Sequence, residues 1–100
     1  MFARVSRFEG FSAGQVDEAV RVAREQFIPA AQQSGGFEGM YVLADQESGT
    51  ALSITLWESR EAMQASEEQA DSSRQDAAQS GGGSVAGVER YEVVLSPEQT

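Results

Sequence analysis

The sequence predicts an α+β domain whose elements follow in the order β-α-β-β-α-β. A hairpin pattern lies in the middle of the chain, one helical pattern precedes it and another follows it, and strand-like runs stand near both ends. The chain has 100 residues, which is the length of one domain. We expect that domain to span residues 1–95, with residues 96–100 as a C-terminal tail.

The first strand and the first helix are predicted within the first third of the chain. Residues 1–9 alternate as a strand does, with Phe2 and Phe8 on one face and Ala3 and Val5 on the other. Residues 15–33 have apolar positions at helical spacing, namely Val16, Ala19, Val20, Ala23, Phe27 and Ile28. We expect Ser12 or Gly14 to open this helix. Pro29 should kink it or end its first part, because proline lacks a backbone donor.

The central hairpin has apolar residues on both faces of both strands. A polar, glycine-containing turn at residues 45–49 separates the two strands. In the first strand, one face has Phe37, Tyr41 and Leu43, and the other has Met40, Val42 and Ala44. In the second, one face has Leu52, Ile54 and Leu56, and the other has Ala51, Ser53, Thr55 and Trp57.

Strands without a polar face are usually covered on both sides. Two helices of a 100-residue chain cover only one face of a four-stranded sheet. We therefore expect a second copy of the chain to cover the other face, in a homodimer.

The second half of the chain predicts a helix and a last strand. Ser59 is a suitable N-cap for a helix at residues 60–79. The core face of this helix is made of mostly small residues, which either let it lie close to the sheet or leave a gap: Ala62 or Met63, Ser66, Ala70 and Ala77. Residues 80–84 have the composition of a flexible linker, and residues 88–95 predict the last strand. The order is that of a ferredoxin-like fold with an antiparallel sheet.

Composition excludes several classes of function. The formal net charge is −9 and the seven arginines are dispersed, which argues against nucleic acid or an anionic membrane as a partner. The chain has no cysteine and no histidine, so thiolate chemistry and the usual haem ligand are excluded. No Ca²⁺-binding loop pattern occurs. We expect no metal and no cofactor.

A cytoplasmic location is also expected. The first ten residues lack the apolar core of a signal peptide. No run approaches the roughly 20 apolar residues that span a bilayer.

Three segments resemble the antibiotic biosynthesis monooxygenase superfamily. They are Gly36–Gly39, Leu56–Ser59 with the following Glu61–Met63, and Val88–Val93. The resemblance covers nearly all of residues 1–95 and implies a dimeric α+β barrel with a ligand cleft between each sheet and its helices. It further implies oxidation of an aromatic or quinol-type small molecule without metal or flavin. A haem-degrading branch uses a histidine and an asparagine, and this chain has neither residue type, so haem degradation is not expected.

Six residues are candidates for the pocket: Trp57, Tyr41, Tyr91, Arg90, Met63 and Phe27. Trp57 either stacks on a flat ligand or packs against the following helix. The two tyrosines either donate a hydrogen bond to a substrate or have backbone partners. Arg90 either stabilises an oxyanion or pairs with a carboxylate such as Glu89 or Glu92. Met63 and Phe27 fit the core better than a site.

The catalytic residues are left unassigned, and two functions stay open. The first is a cofactor-independent monooxygenase that acts on an aromatic substrate. The second is a non-catalytic dimeric module that binds a small hydrophobic ligand or has a regulatory role. A pocket too small for a two-ring ligand would favour the second.

Overall fold

The computed structural model describes residues 1–12, 14–45, 47–81 and 83–97. It confirms the predicted order of elements. The four strands are β1 (Phe2–Glu9), β2 (Phe37–Asp45), β3 (Thr50–Trp57) and β4 (Ser84–Glu92). They form one antiparallel sheet in the order β2-β3-β1-β4, which is the ferredoxin-like arrangement.

The first helical region continues through the proline. It consists of α1 (Gln15–Val22), a π-helical segment (Ala23–Phe27) and α2 (Ile28–Ser34). Gly14, one of the two predicted openings, directly precedes α1. The wider π turn comes just before Pro29, where the regular hydrogen-bond ladder loses a donor. The helical conformation therefore does not end at the proline.

The predicted hairpin is present, with one correction to its faces. The N–H of Gly49 donates to the carbonyl of Asp45 at 3.0 Å, and Gly49 has a φ of 73°, which favours glycine. A register shift between Phe37 and Gly39 inserts one extra residue into β2. Phe37 therefore lies opposite Trp57 on the helix-covered face, and its predicted grouping with Tyr41 was wrong.

The second helical region also begins as predicted. Ser59 Oγ accepts a hydrogen bond from the N–H of Ala62 at 3.1 Å, which caps α3 (Arg60–Ala65). Ser66 separates α3 from α4 (Glu67–Gly81).

The predicted linker at residues 80–84 and the predicted last strand at residues 88–95 were wrong in their bounds. The helix α4 continues to Gly81, and β4 begins at Ser84, where pairing with Glu9 of β1 starts. A Cβ on Gly83 would lie 2.5 Å from the carbonyl oxygen of Glu9. Close backbone approach therefore explains Gly83, and Gly82 lies outside the described residues.

The helices cover one face of the sheet through two apolar clusters. The first contains Phe8, Phe11, Val16 and Ala51. The second contains Phe27, Ala31, Trp57, Met63 and Ala70. Both clusters use side chains of the face that Phe2 and Phe8 share, as the alternation of β1 predicts. None of the described helices is long and apolar enough to cross a membrane.

No layer formed by the described residues covers the other face of the sheet. Tyr41 is 62% exposed and Tyr91 is 52% exposed on this open face, and Leu43 is also exposed. Val5 and Ile54, which pair on β1 and β3, are half-buried beside them. The alternation of the hairpin strands predicts this apolar second face.

Candidate functional site

A cavity of about 60 Å³ lies between the helix-covered face of the sheet and the helices. Strands β1, β2 and β3 form its floor, and α1, the π-helical segment and α4 form its roof. The apolar lining includes Phe8, Phe11, Val16, Phe27, Met40 and Val42. Ala70 also lines it, so the small residues of the second helix leave a gap at this point.

A cleft on the β2 side adjoins the cavity. Its volume is about 270 Å³, and it shares Val20, Ala23, Met40 and Val42 with the cavity wall. Val42 is exposed because β2 is the edge strand of the sheet. The cleft therefore provides an approach to the cavity between β2 and the π-helical segment.

Arg4 is the least expected residue of the cavity wall. It lies in β1 next to both of its partner strands, and only 2% of it is exposed. Its Nη2 donates to the carbonyl of Met63 and to Ser66 Oγ, and its Nε donates to Glu67 Oε1 at 3.1 Å. Its Cζ lies 5.5 Å from the centre of the Trp57 ring, a cation–π distance. Burial lowers the pKa of Arg4, and Glu67 opposes that shift.

Glu67 connects the buried Arg4 to the surface. Both of its carboxylate oxygens accept from Arg90, at 2.7 Å each. The hydrogen bonds from Arg90 lower the pKa of Glu67, and Arg4 adds to this effect. The structure thus pairs Arg90 with a carboxylate of α4 rather than with Glu89 or Glu92.

Arg74 is a second arginine that lines the cavity, from α4. It is 8% exposed, and its Nη2 contacts Asp71 Oδ1 at 3.4 Å. Arg74 was not among the candidates predicted from the sequence, although it lies four residues after Ala70 on the predicted core face. Arg4 was missed in the same way, although it shares the face of Phe2 and Phe8.

Three of the six predicted site residues meet beside the cavity. Trp57 is completely buried, donates from Nε1 to Thr55 Oγ1 at 3.0 Å, and packs edge-on against Phe37. Met63 and Phe27 belong to the same cluster. Of the six candidates, Phe27 lines the cavity itself.

The other three candidates lie elsewhere. Tyr41 and Tyr91 are on the open face, and the Tyr91 hydroxyl donates to Glu89 Oε2 at 2.6 Å. This hydrogen bond raises the pKa of Tyr91. Arg90 is partly exposed and pairs with Glu67, the carboxylate that also accepts from Arg4.

The arrangement suits binding more clearly than acid–base chemistry. The described part of the cavity wall contains no carboxylate and no tyrosine, so no proton acceptor of the usual kind faces the space. Among the described residues, no cluster of acidic side chains is placed to hold a metal ion. The wall offers apolar surface, hydroxyls and guanidinium donors.

The fold and cavity define a ferredoxin-like α+β domain with a small, mostly apolar space under its helices. A Deinococcus radiodurans structure described as an antibiotic biosynthesis monooxygenase matches it with a TM-score of 0.70 and 17% identity, over 96% of this chain and 95% of that one. SnoaB, a cofactor-independent oxygenase from Streptomyces nogalater, matches with a TM-score of 0.65 and 13% identity, over 96% and 95%. The chain therefore has the fold of the antibiotic biosynthesis monooxygenases, as the resemblance implied.

Two further comparisons bear on the chain. A dimeric ferredoxin-like protein from an uncultured marine organism matches with a TM-score of 0.69 and 10% identity, over 95% of this chain and 96% of that one. In sequence, the uncharacterized protein Rv2557 of Mycobacterium tuberculosis is 36% identical over 78 residues, which is 78% of this chain. The chain spans about a third of the length of the curated relatives it matches. No protein-family model matches it.

Proposed function

We propose that this chain is a homodimeric domain that binds a small apolar molecule in the cavity between its sheet and its helices. The cavity carries this proposal, because its wall combines a mostly apolar lining with a few placed donors, which is the pattern of a small-molecule site. The adjoining cleft supplies an approach from solvent. SnoaB, which shares the fold, is described as a cofactor-independent oxygenase.

The size of the cavity sets the kind of ligand. At about 60 Å³ it is smaller than the roughly 150 Å³ that holds a benzene ring. A ring-containing ligand must therefore occupy the cleft as well, or move the side chains between the two spaces. Met40 and Val42 border both spaces.

Titration with indole, a neutral two-ring molecule, tests this binding. The methyl group of Met40 should shift in a methyl NMR spectrum, whereas that of Met63, which is buried outside the cavity lining, should shift much less. Ala23→Leu should abolish the response because Ala23 lines both spaces. Ala65→Leu adds the same volume to an exposed helix position and should leave it unchanged. Equal responses in the two variants would contradict the proposal.

The open sheet face supports the homodimer. Tyr41, Leu43 and Tyr91 are exposed there, and a layer is needed to bury them. A protein of the same fold is described as dimeric.

Light scattering, which measures molar mass, tests the dimer and should give twice the 10.7 kDa of the chain. Leu43→Glu should halve that mass, and Gln26→Glu, on an exposed helix position, should not. A monomeric wild-type chain at micromolar concentration would refute the dimer.

Cofactor-independent oxidation of an aromatic substrate is the second candidate, favoured by the described activity of SnoaB. In such a step a ring CH₂ group loses two hydrogens and gains one oxygen atom of O₂ as a carbonyl, and the other oxygen atom leaves as water. Oxygen uptake with anthrone-type and hydroquinone substrates tests it, with Ala23→Leu as the blocked control. If the chain binds indole but no substrate of the panel causes oxygen uptake, the monooxygenase function is contradicted and the non-catalytic binding function is supported.

A further inference from the structure

The cavity wall contains two buried arginines with unused donors. Arg4 comes from β1 and Arg74 from α4, and each is more than nine-tenths buried. Nη1 of Arg4 and Nε of Arg74 are buried without a hydrogen-bond partner. Because buried polar groups in proteins are nearly always paired, two such donors in one wall indicate a missing acceptor.

The carboxylates around these arginines are already engaged. Glu67 accepts from Arg4 and binds Arg90 with both oxygens. Asp71, which contacts Arg74, has an exposed side chain. Burial lowers the pKa of Arg4, and the charges of Arg74 and Arg90 lower it further against the effect of Glu67. Three guanidinium groups therefore share one partly buried carboxylate and one exposed one.

The rest of the wall determines which acceptor fits. Along β1 the lining changes from Arg4 through Ser6 to Phe8. The described lining has no carboxylate that would attract a cation or compete for the arginines. A ligand whose acceptor group lies near Arg4 and Arg74 therefore has apolar protein surface directly beside that group.

We infer that the ligand of this cavity is a small apolar molecule with one delocalised oxyanion, a carboxylate or a phenolate, which Arg4 and Arg74 bind. The inference rests on the ligand-binding function proposed above and adds the charge of the ligand. Guanidinium groups donate strong hydrogen bonds to oxyanions, and their planar fork matches a carboxylate. The apolar body of the ligand extends from the cavity into the cleft beside Met40.

Calorimetric titration of the wild-type chain tests the charge without any variant. Benzoate, benzyl alcohol and benzylamine are single rings of similar size with charges of −1, 0 and +1. Benzoate should bind about tenfold more tightly than benzyl alcohol, as expected for one charge-assisted hydrogen bond. Benzylamine should bind more weakly than both. The affinities of 4-nitrophenolate and nitrobenzene are compared in the same way. This comparison shows whether the site prefers a phenolate or a carboxylate.

Two variants that each remove one positive charge show which arginine recognises the charge of the ligand. Arg74→Gln should weaken benzoate binding about tenfold and leave benzyl alcohol binding unchanged. Arg21→Gln is the control, because Arg21 is exposed and pairs with Glu18 and Glu25 on the surface of the first helical region. If Arg74→Gln does not fold, the Nε–H resonance of Arg74 in the wild-type chain gives the same answer. It should shift with benzoate and stay in place with benzyl alcohol.

Two outcomes would overturn the inference while the binding function stands. Benzyl alcohol binding as tightly as benzoate would show that charge is not recognised. Equal losses of benzoate affinity in the Arg74 and Arg21 variants would assign the effect to overall charge. If indole binds but none of the anions does, the inference that the ligand carries an oxyanion is wrong. If indole also fails to bind, the proposed function fails with it.

Discussion

The two faces of the sheet have similarly apolar sequences but very different surroundings. On the covered face, Trp57 is completely buried and Arg4 is nearly so. On the open face, Tyr41 and Tyr91 remain more than half exposed. The strands supply both faces by the same alternation, so the layer above each face makes the difference. That layer decides whether a polar group must find a partner inside the protein or can use water.

The arginines show the chemical consequence of this difference. Arg4, under the helices, needs Met63, Ser66 and Glu67 as acceptors and still keeps one nitrogen unpaired. Tyr91, on the open face, donates a hydrogen bond to the exposed Glu89. The covered face therefore concentrates the electrostatic interactions, and the open face has apolar groups available for association.

The largest expected effect is on the core of the covered face. Trp57→Ala should lower the free energy of unfolding by roughly 3–5 kcal/mol, because it removes a completely buried side chain. Tyr41→Ala on the open face should cost less than about 1 kcal/mol within one chain. Urea unfolding at a concentration where the chain is monomeric measures both. Similar losses for the two variants would contradict the difference between the faces.

An intermediate effect is expected for the ion pairs that connect the covered face to the surface. Glu67→Gln should lower the free energy of unfolding by about 1–2 kcal/mol, less than for a fully buried pair because Glu67 is partly exposed. Glu68→Gln, at an exposed neighbouring position, should change it by less than about 0.5 kcal/mol.

The pH dependence of the Glu67 effect has a definite sign. Arg90 and Arg4 lower the pKa of Glu67 in the folded chain. The stabilisation is therefore fully present above the unfolded value of about 4.3, and it is lost as the pH falls through the lower folded pKa. Unfolding measured from neutral to acidic pH should show the wild type and Glu67→Gln converging in acid. A difference that stays constant in acid would argue against an ionic role for Glu67.

The smallest expected effect is on the open face. Glu89 raises the pKa of Tyr91 by hydrogen bonding and by its charge. Glu89→Gln should lower that pKa toward its ordinary value, which an ultraviolet absorbance titration measures. At a concentration where the chain is monomeric, the midpoint of thermal unfolding should stay the same, because both groups are exposed in the single chain. A clear loss of thermal stability under these conditions would contradict the exposed position of the pair on the open face.

Much of the fold could be predicted from local patterns. The hairpin turn before Gly49, the Ser59 cap and the alternation of β1 depend on neighbours in the sequence, and the structure has all three. The start of β4 could not be predicted in this way. Pairing with β1 recruits Ser84 from a glycine-rich run whose composition indicates a linker. The predicted face of Phe37 was wrong because an extra residue in β2 shifts the alternation of its side chains.

The candidate site was less predictable than the fold. Trp57 was selected because its ring can stack on a flat ligand, and Met63 and Phe27 lie on the predicted core faces of the two helical regions. The three residues do lie together. Arg4 and Arg74 were missed because an arginine in a strand or helix is usually solvated. Only their joint burial under the helices makes them part of the cavity.

The sequence by itself determined the order of the elements, the helix cap, the hairpin turn and the two apolar faces of the sheet. These features follow from alternation and spacing between near neighbours. Only the tertiary structure decided where β4 begins, which face Phe37 joins, and that two buried arginines line one cavity. Those outcomes depend on residues far apart in the chain, since strand pairing and burial are set by contacts that no local pattern records.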